Sequence, residues 1–168
     1  MGLTATLQIS LAATLSKALD LLTAEPPLAY NKTFTITNGT GTNQADKMFH
    51  DQRTLSASAT ENLDLAGVLA DLFGDTITLA RIKALIVYAA PGNTNDVLVG
   101  GAAANQWLSW VGDATDVVKV KPGGILVLVA PDATGYVVAG GTADQLKIAN
   151  SAGSTSVTYD IVIVGASA

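Results

Sequence analysis

The residues best equipped for chemistry are His50 and Asp51, with Asp46 just upstream and Ser56 or Ser58 just downstream. A base, its orienting carboxylate and a hydroxyl nucleophile are the parts of a hydrolytic triad. The spacing carries no nucleophile-elbow pattern, however, and the stretch alternates like an ordinary strand. His50 is therefore expected to be a surface or interface histidine. It is also the only histidine and the chain has no cysteine, so two-histidine zinc sites, thiolate metal sites and thiol catalysis are excluded. The carboxylates Asp64, Asp71 and Asp75, or Asp113 and Asp116, could gather a cation. A calcium loop needs oxygen ligands at alternate positions closed by a bidentate glutamate, and the chain holds only Glu25 and Glu61. Aspartates at turns are expected to cap backbone amides. Gly39-Thr40-Gly41 and Gly140-Gly141-Thr142 match no phosphate-binding loop. The expectation is a protein without catalytic group, metal or cofactor.

Trp107, Trp110 and Tyr136 are the remaining candidates, because aromatic faces can stack on sugar rings. Three residues apart on a strand, the two tryptophans would point to opposite faces, which suggests one core and one rim position. The same three side chains are the candidate anchors of a protein interface. Fourteen acidic against nine scattered basic residues give a net charge of −5, with no basic stripe to follow a phosphate backbone. Nucleic acid is not an expected partner.

The elements that must position these residues read as strands. In Val117–Lys121, Val118 and Val120 alternate with Lys119 and Lys121, the period-2 pattern of a half-buried strand. Lys121-Pro122-Gly123-Gly124 then has the chemistry of a type II turn, with glycine where positive φ is needed, and is expected to close a hairpin with the strand that follows. Ile125–Ala130 is apolar on both faces and calls for cover on both sides. Further strands are expected at Thr4–Ser10, Lys32–Thr37 with Phe34 and Ile36 inward, Met48–Thr60, Leu63–Gly67, Thr76–Ala90 and Asp96–Val99. Others follow at Gln106–Val111, Tyr136–Ala139, Leu146–Ala149 and Thr155–Val164, the last with Val157, Tyr159, Ile161 and Ile163 on one face. Leu11–Glu25 fits helix or strand, and Val68–Phe73 fits a turn or two of helix.

Short strands spaced near ten residues, with Gly, Pro, Asn and Asp between, indicate an all-β antiparallel sandwich, jelly-roll-like, with at most short helical pieces. The 168 residues divide into an N-terminal strand or arm segment, 1–29, packing on the domain or on a partner, and a β-sandwich domain, 30–168. Charged residues make up only 14 %, against roughly 25 % in ordinary soluble domains. Association would hide the excess of uncharged surface. No apolar run approaches the ~20 residues that span a bilayer and no basic leader is evident, so a soluble protein with no membrane partner is expected.

Several phrases together resemble small β-rich structural proteins of tailed bacteriophages and prophages. They are Ala57–Gly67, Ala80–Leu85, Lys121–Gly124, Ala130–Tyr136, Leu146–Asn150 and Val157–Ile163. The resemblance implies a non-enzymatic virion protein, and the cement or decoration type on the capsid exterior suits the length best. It would be made in a bacterial cytoplasm and would take the major capsid protein and copies of itself as partners. A tail or fibre component that binds a host surface is the alternative within the virion. From a different class, a carbohydrate-binding module would need Trp107, Trp110 and Tyr136 on one exposed platform.

Overall fold

A computed structural model describes residues 2–168. In chain order the strands are β1 (Ala5–Thr14), β2 (Lys17–Ala18), β3 (Thr23–Ala24), β4 (Pro27–Asn38), β5 (Gln44–Ala45), β6 (Lys47–Leu55) and β7 (Thr60–Asp64). They continue as β8 (Arg81–Ala89), β9 (Val97–Gly100), β10 (Val117–Val120), β11 (Ile125–Val129), β12 (Tyr136–Val137), β13 (Gln145–Asn150) and β14 (Val157–Ala166). No helix forms among the described residues. The segment 15–22 leads into a turn closed by the Leu19 amide on the Leu22 carbonyl at 2.8 Å. Residues 68–73 are likewise turns, because the Asp71 carboxylate accepts the Phe73 and Asp75 amides and so competes with helical bonding.

The body is a sandwich of two antiparallel sheets, ordered β11-β8-β14-β6 and β10-β9-β13-β7, with β12 added to β8. Its logic is nested pairing. β9 pairs with β10, β8 with β11, β7 with β13 and β6 with β14, each antiparallel. Successive pairs fall in alternate sheets, so a two-stranded ribbon winds around the core, which is the jelly-roll topology. The core takes the inward row Val157, Tyr159, Ile161 and Ile163 of β14, all fully buried, with Leu85 and Val87 of β8 and Ile148 of β13.

Two local features follow the residues closely. The Gly124 amide meets the Lys121 carbonyl at 2.7 Å and Gly123 has φ of 74°, the type II turn expected there. Its flanking strands β10 and β11 belong to different sheets, so this turn is a corner of the sandwich where a hairpin was expected. The second feature is a bulge between β14 and β8, at Val164 and Gly165. A Cβ on Gly165 would lie 2.5 Å from the Arg81 carbonyl oxygen and 2.7 Å from a Leu79 methyl. The bulge leaves Lys83 unpaired on the β14 side and fully buried. Its ammonium donates to the carbonyls of Asp132 and Ala133, and so does the Arg81 guanidinium to Ala133, pinning the loop between β11 and β12. Burial, then repulsion from Arg81, lowers the Lys83 pKa below the usual lysine value.

Two sequence expectations change. β11 is an edge strand that pairs only with β8, and Ile125 is 59 % exposed. The apolar run is thus covered on its inner side by the core while its outer side stays half-open. Gln106–Val111 forms no strand apart from a single bridge of Gln106 to Gln145.

The N-terminal segment is the most unusual part. β1 and β4 pair over ten residues, from Ala5↔Ile36 to Thr14↔Pro27, so the hairpin runs across the expected boundary at 29/30. Ile36 is buried with Ala45, Ala84 and Val164, and Leu3, Ala5 and Met48 pack against them, which roots the hairpin on the outer face of the β14 sheet. Beyond the root, residues 8–33 are exposed except for half-buried Ala24. The ribbon is an arm.

We expect Gly165→Ala to destabilise the fold by about 1–3 kcal/mol, because backbone and a packed leucine must both move. Denaturant unfolding checks this, and an unchanged midpoint would refute it.

Candidate functional site

The triad parts are not assembled. Adjacent residues of a strand face opposite ways, and β6 obeys this. His50 is exposed on the outer face opposite Val162, while Asp51 lies opposite Ile161 on the inner side and its carboxylate meets the Arg53 Nε at 2.9 Å. Asp46 is occupied by the amide and hydroxyl of Ser167. Of the candidate cation ligands, Asp64, Asp71, Asp113 and Asp116 cap turns. Asp64 accepts the Ala66 amide, and Asp116 accepts the amides of Gly112 and Asp113. Asp113 accepts both the amide and the hydroxyl of Thr115, which lower its pKa below the usual carboxylate value. No group of three metal-ligating side chains occurs among the described residues.

What the fold does assemble is a polar seam at the open edge of the sandwich, where edge strands β6 and β7 face each other. The Tyr159 hydroxyl donates to Glu61 Oε1 at 2.6 Å, and the Arg53 guanidinium meets Glu61 Oε2 at 2.5 Å and sits over the Phe49 ring. Burial, then the hydrogen bond and charge of Glu61, push the Tyr159 pKa well above the usual tyrosine range, so the phenol remains a donor. Burial opposes the charge on Arg53, but its bonds to Glu61 and Asp51 outweigh that and raise its pKa. Beside the seam opens a cleft of about 600 Å³ lined by Phe49, Asp51, Arg53, Asn62, Asp64 and Gln145. The seam has an architectural role: inward-pointing charges on edge strands deter pairing with another sheet. Arg53 and Glu61 face inward on strands whose inner rows also carry buried Phe49, Leu55 and Leu63, and that mismatch is the sequence signal that could have found them.

The aromatic candidates come together, but not as a platform. Trp107 is 1 % exposed, and its Nε1 donates to the Val137 carbonyl at 2.9 Å. Trp110 is half-buried, packs at 5.9 Å on Trp107 and donates to the Trp107 carbonyl. Tyr136, also half-buried, meets the Trp107 ring edge-on at 6.1 Å. Because 106–111 turns where a strand was expected, Trp107 and Trp110 stack on one another and do not diverge. The cluster plugs the sandwich end where the loops 101–116 and 130–144 meet. Trp107 thus serves as core, and neither a sugar platform nor an interface anchor is available from its buried ring.

The remaining candidate is the arm. Paired residues of an antiparallel ladder share a face, which sorts the hairpin into two sides. One carries Leu7↔Phe34, Ile9↔Lys32, Leu11↔Tyr30 and Ala13↔Leu28; the other carries Thr6↔Thr35, Gln8↔Thr33, Ser10↔Asn31, Ala12↔Ala29 and Thr14↔Pro27. The apolar side is the continuation of Ala5↔Ile36, the pair seated on the body. Lys32 interrupts it only in part, its ammonium lying 5.6 Å from the Tyr30 ring. Leu15, Leu21 and Leu22, exposed by 79, 98 and 59 %, extend the apolar character into the tip. The arm thus presents an uncovered apolar face and holds neither histidine nor cysteine.

The chain matches no protein-family model, no curated protein and no solved structure.

Trp107→Ala should cost about 3–5 kcal/mol of monomer stability, as loss of a large core side chain does. Trp110→Ala should cost less, and a melting curve for each orders the two. Glu61→Ala should cost roughly 1–3 kcal/mol, since it strands the Tyr159 hydroxyl and the Arg53 guanidinium. Equal stability of Glu61→Ala and the wild type would remove the seam from the account of the edge.

Proposed function

We propose that this chain is a non-enzymatic structural protein of a bacteriophage virion, most specifically a cement protein that binds the capsid exterior and bridges its subunits. The observation that carries this is the free-standing arm: a ribbon with one apolar face, rooted on a rigid jelly roll whose histidine and carboxylates are not combined for catalysis. Such an arm is stable in use only when its apolar face is covered, so the molecule is suited to bind along other subunits. Jelly rolls build viral capsid domains but also lectins and cupins, and fold alone does not give function. The phrases resembling phage structural proteins supply the setting. Cementing would then work by mass action, since a subunit that binds only the assembled shell stabilises it.

Quantitative mass spectrometry of purified particles tests the proposal. Hundreds of copies per particle are expected. A small multiple of three or six would move the protein to the tail, and absence from particles would overturn the virion role altogether.

A further inference from the structure

We propose that the arm of one copy lies across the outer face of the β14 sheet of a neighbouring copy, so that the chain is its own partner. The inference rests on the structural role proposed above and names its contact.

The chain already shows the contact in miniature. At the root, Ala5 and Ile36 of the arm's apolar face cover Ala84 and Val164 on the outer face of that sheet. Both sides of this contact continue uncovered. On the arm the same face runs on through Leu11↔Tyr30 and Ala13↔Leu28, with Leu11 and Leu28 each 54 % and Tyr30 49 % exposed. On the sheet the next row is Val162, Ile86 and Val127, and the one after it Asp160, Tyr88 and Ile125, paired in register across β14, β8 and β11, so the apolar surface narrows to β8 and β11 there. All of these are half-buried except Ile125, which is exposed. The arm projects away from the body, since all its residues 8–33 are exposed except half-buried Ala24, so its own sheet is out of reach and the matching surface lies on another copy.

Size agrees with this. At about 3.4 Å per residue and a width near 10 Å, the free ribbon presents a face about 25 Å long before its tip. Two copies exchanging arms would bury on the order of 1,000 Å², the lower bound for a specific interface. The arm's other face carries Gln8, Ser10, Asn31 and threonines with only the small pair Ala12↔Ala29 and Pro27 among them, and it would remain in water as the outer layer of a three-layer stack.

The absence of cysteine from the sequence makes the test clean. Untagged Leu11→Cys protein is mixed with tagged Val127→Cys protein under mild oxidation, with tagged Asn62→Cys, exposed on the other sheet, as control. A disulfide-linked heterodimer is expected with Val127→Cys and not with Asn62→Cys. In sedimentation the wild type should associate, and the double variant Leu11→Asp, Tyr30→Asp should weaken association about 30-fold or more while the body melts as in the wild type, because the two side chains pair with each other on the arm and belong to neither buried cluster. An oligomer indifferent to the double variant would overturn the inference. So would a disulfide within one chain of a Leu11→Cys, Val127→Cys double variant, which would place the arm on its own body. A wild type monomeric at millimolar concentration that still binds particles lacking it through the arm would assign the arm to the capsid protein. That outcome overturns self-exchange and leaves the cement role standing.

Discussion

Everything in the body depends on the burial of one strand. β14 pairs with β6 on one side and β8 on the other, and its inner row Val157, Tyr159, Ile161 and Ile163 is wholly withdrawn from water. A β-strand in that position must be continuous and twisted correctly along its whole length, and the nested pairings of the other strands close around it. The bulge at Gly165 is the cost of fitting its end. The one extra residue it admits in β8 is Lys83, which is fully buried, and Lys83 in turn fixes the loop from which β12 returns to the sheet. A backbone irregularity thus positions a charged side chain, and the side chain positions a loop.

The outer row of the same strand matters as much. In a sandwich with both outer faces solvated, strands alternate apolar and polar residues. β14 does this at Thr158 and Asp160, then stops: Val162 and Val164 face outward as well. Ala84 and Ile86 of β8 and Val127 of β11 share that outer face. The arm root covers part of this surface, so the third layer is built into the design of the sheet.

How much of this could be read from residues alone follows from the range of each interaction. Strand identities rest on alternation between near neighbours, and Val118, Val120 and the row of β14 fell where the pattern put them. The type II turn at Gly123 was legible for the same reason. Which strands pair was not, because β6 meets β14 across about a hundred residues and period-2 patterns fit any register that keeps the faces right. Hence the turn at Pro122 read as a hairpin although it links two sheets. Leu15, Leu19 and Leu22 were ambiguous because the arm has no core to impose a period on its tip. The stacking of Trp107 on Trp110 was hidden by assuming a strand through 106–111, where the chain instead turns. The seam of Arg53, Glu61 and Tyr159 needed three-dimensional pairing, since it joins residues from three strands.

The low charge of the chain acquires a direction once the edges are compared. β6 and β7 carry Arg53 and Glu61 inward, and the β10 edge carries Lys119 and Lys121, both within reach of Asp96 at 3.8 and 3.1 Å. Charges at those edges disfavour indiscriminate strand addition. β11 has no such charge, only Pro122 before it and Pro131 after it, and its outward residues adjoin the uncovered apolar rows. With three edges guarded and the fourth bordering an apolar face, the few charged residues leave one side of the body open to the association proposed above. An arm whose own apolar face is uncharged apart from Lys32 is matched to that side, so the same scarcity of charge that would make an ordinary monomer prone to aggregate here restricts where it can be joined.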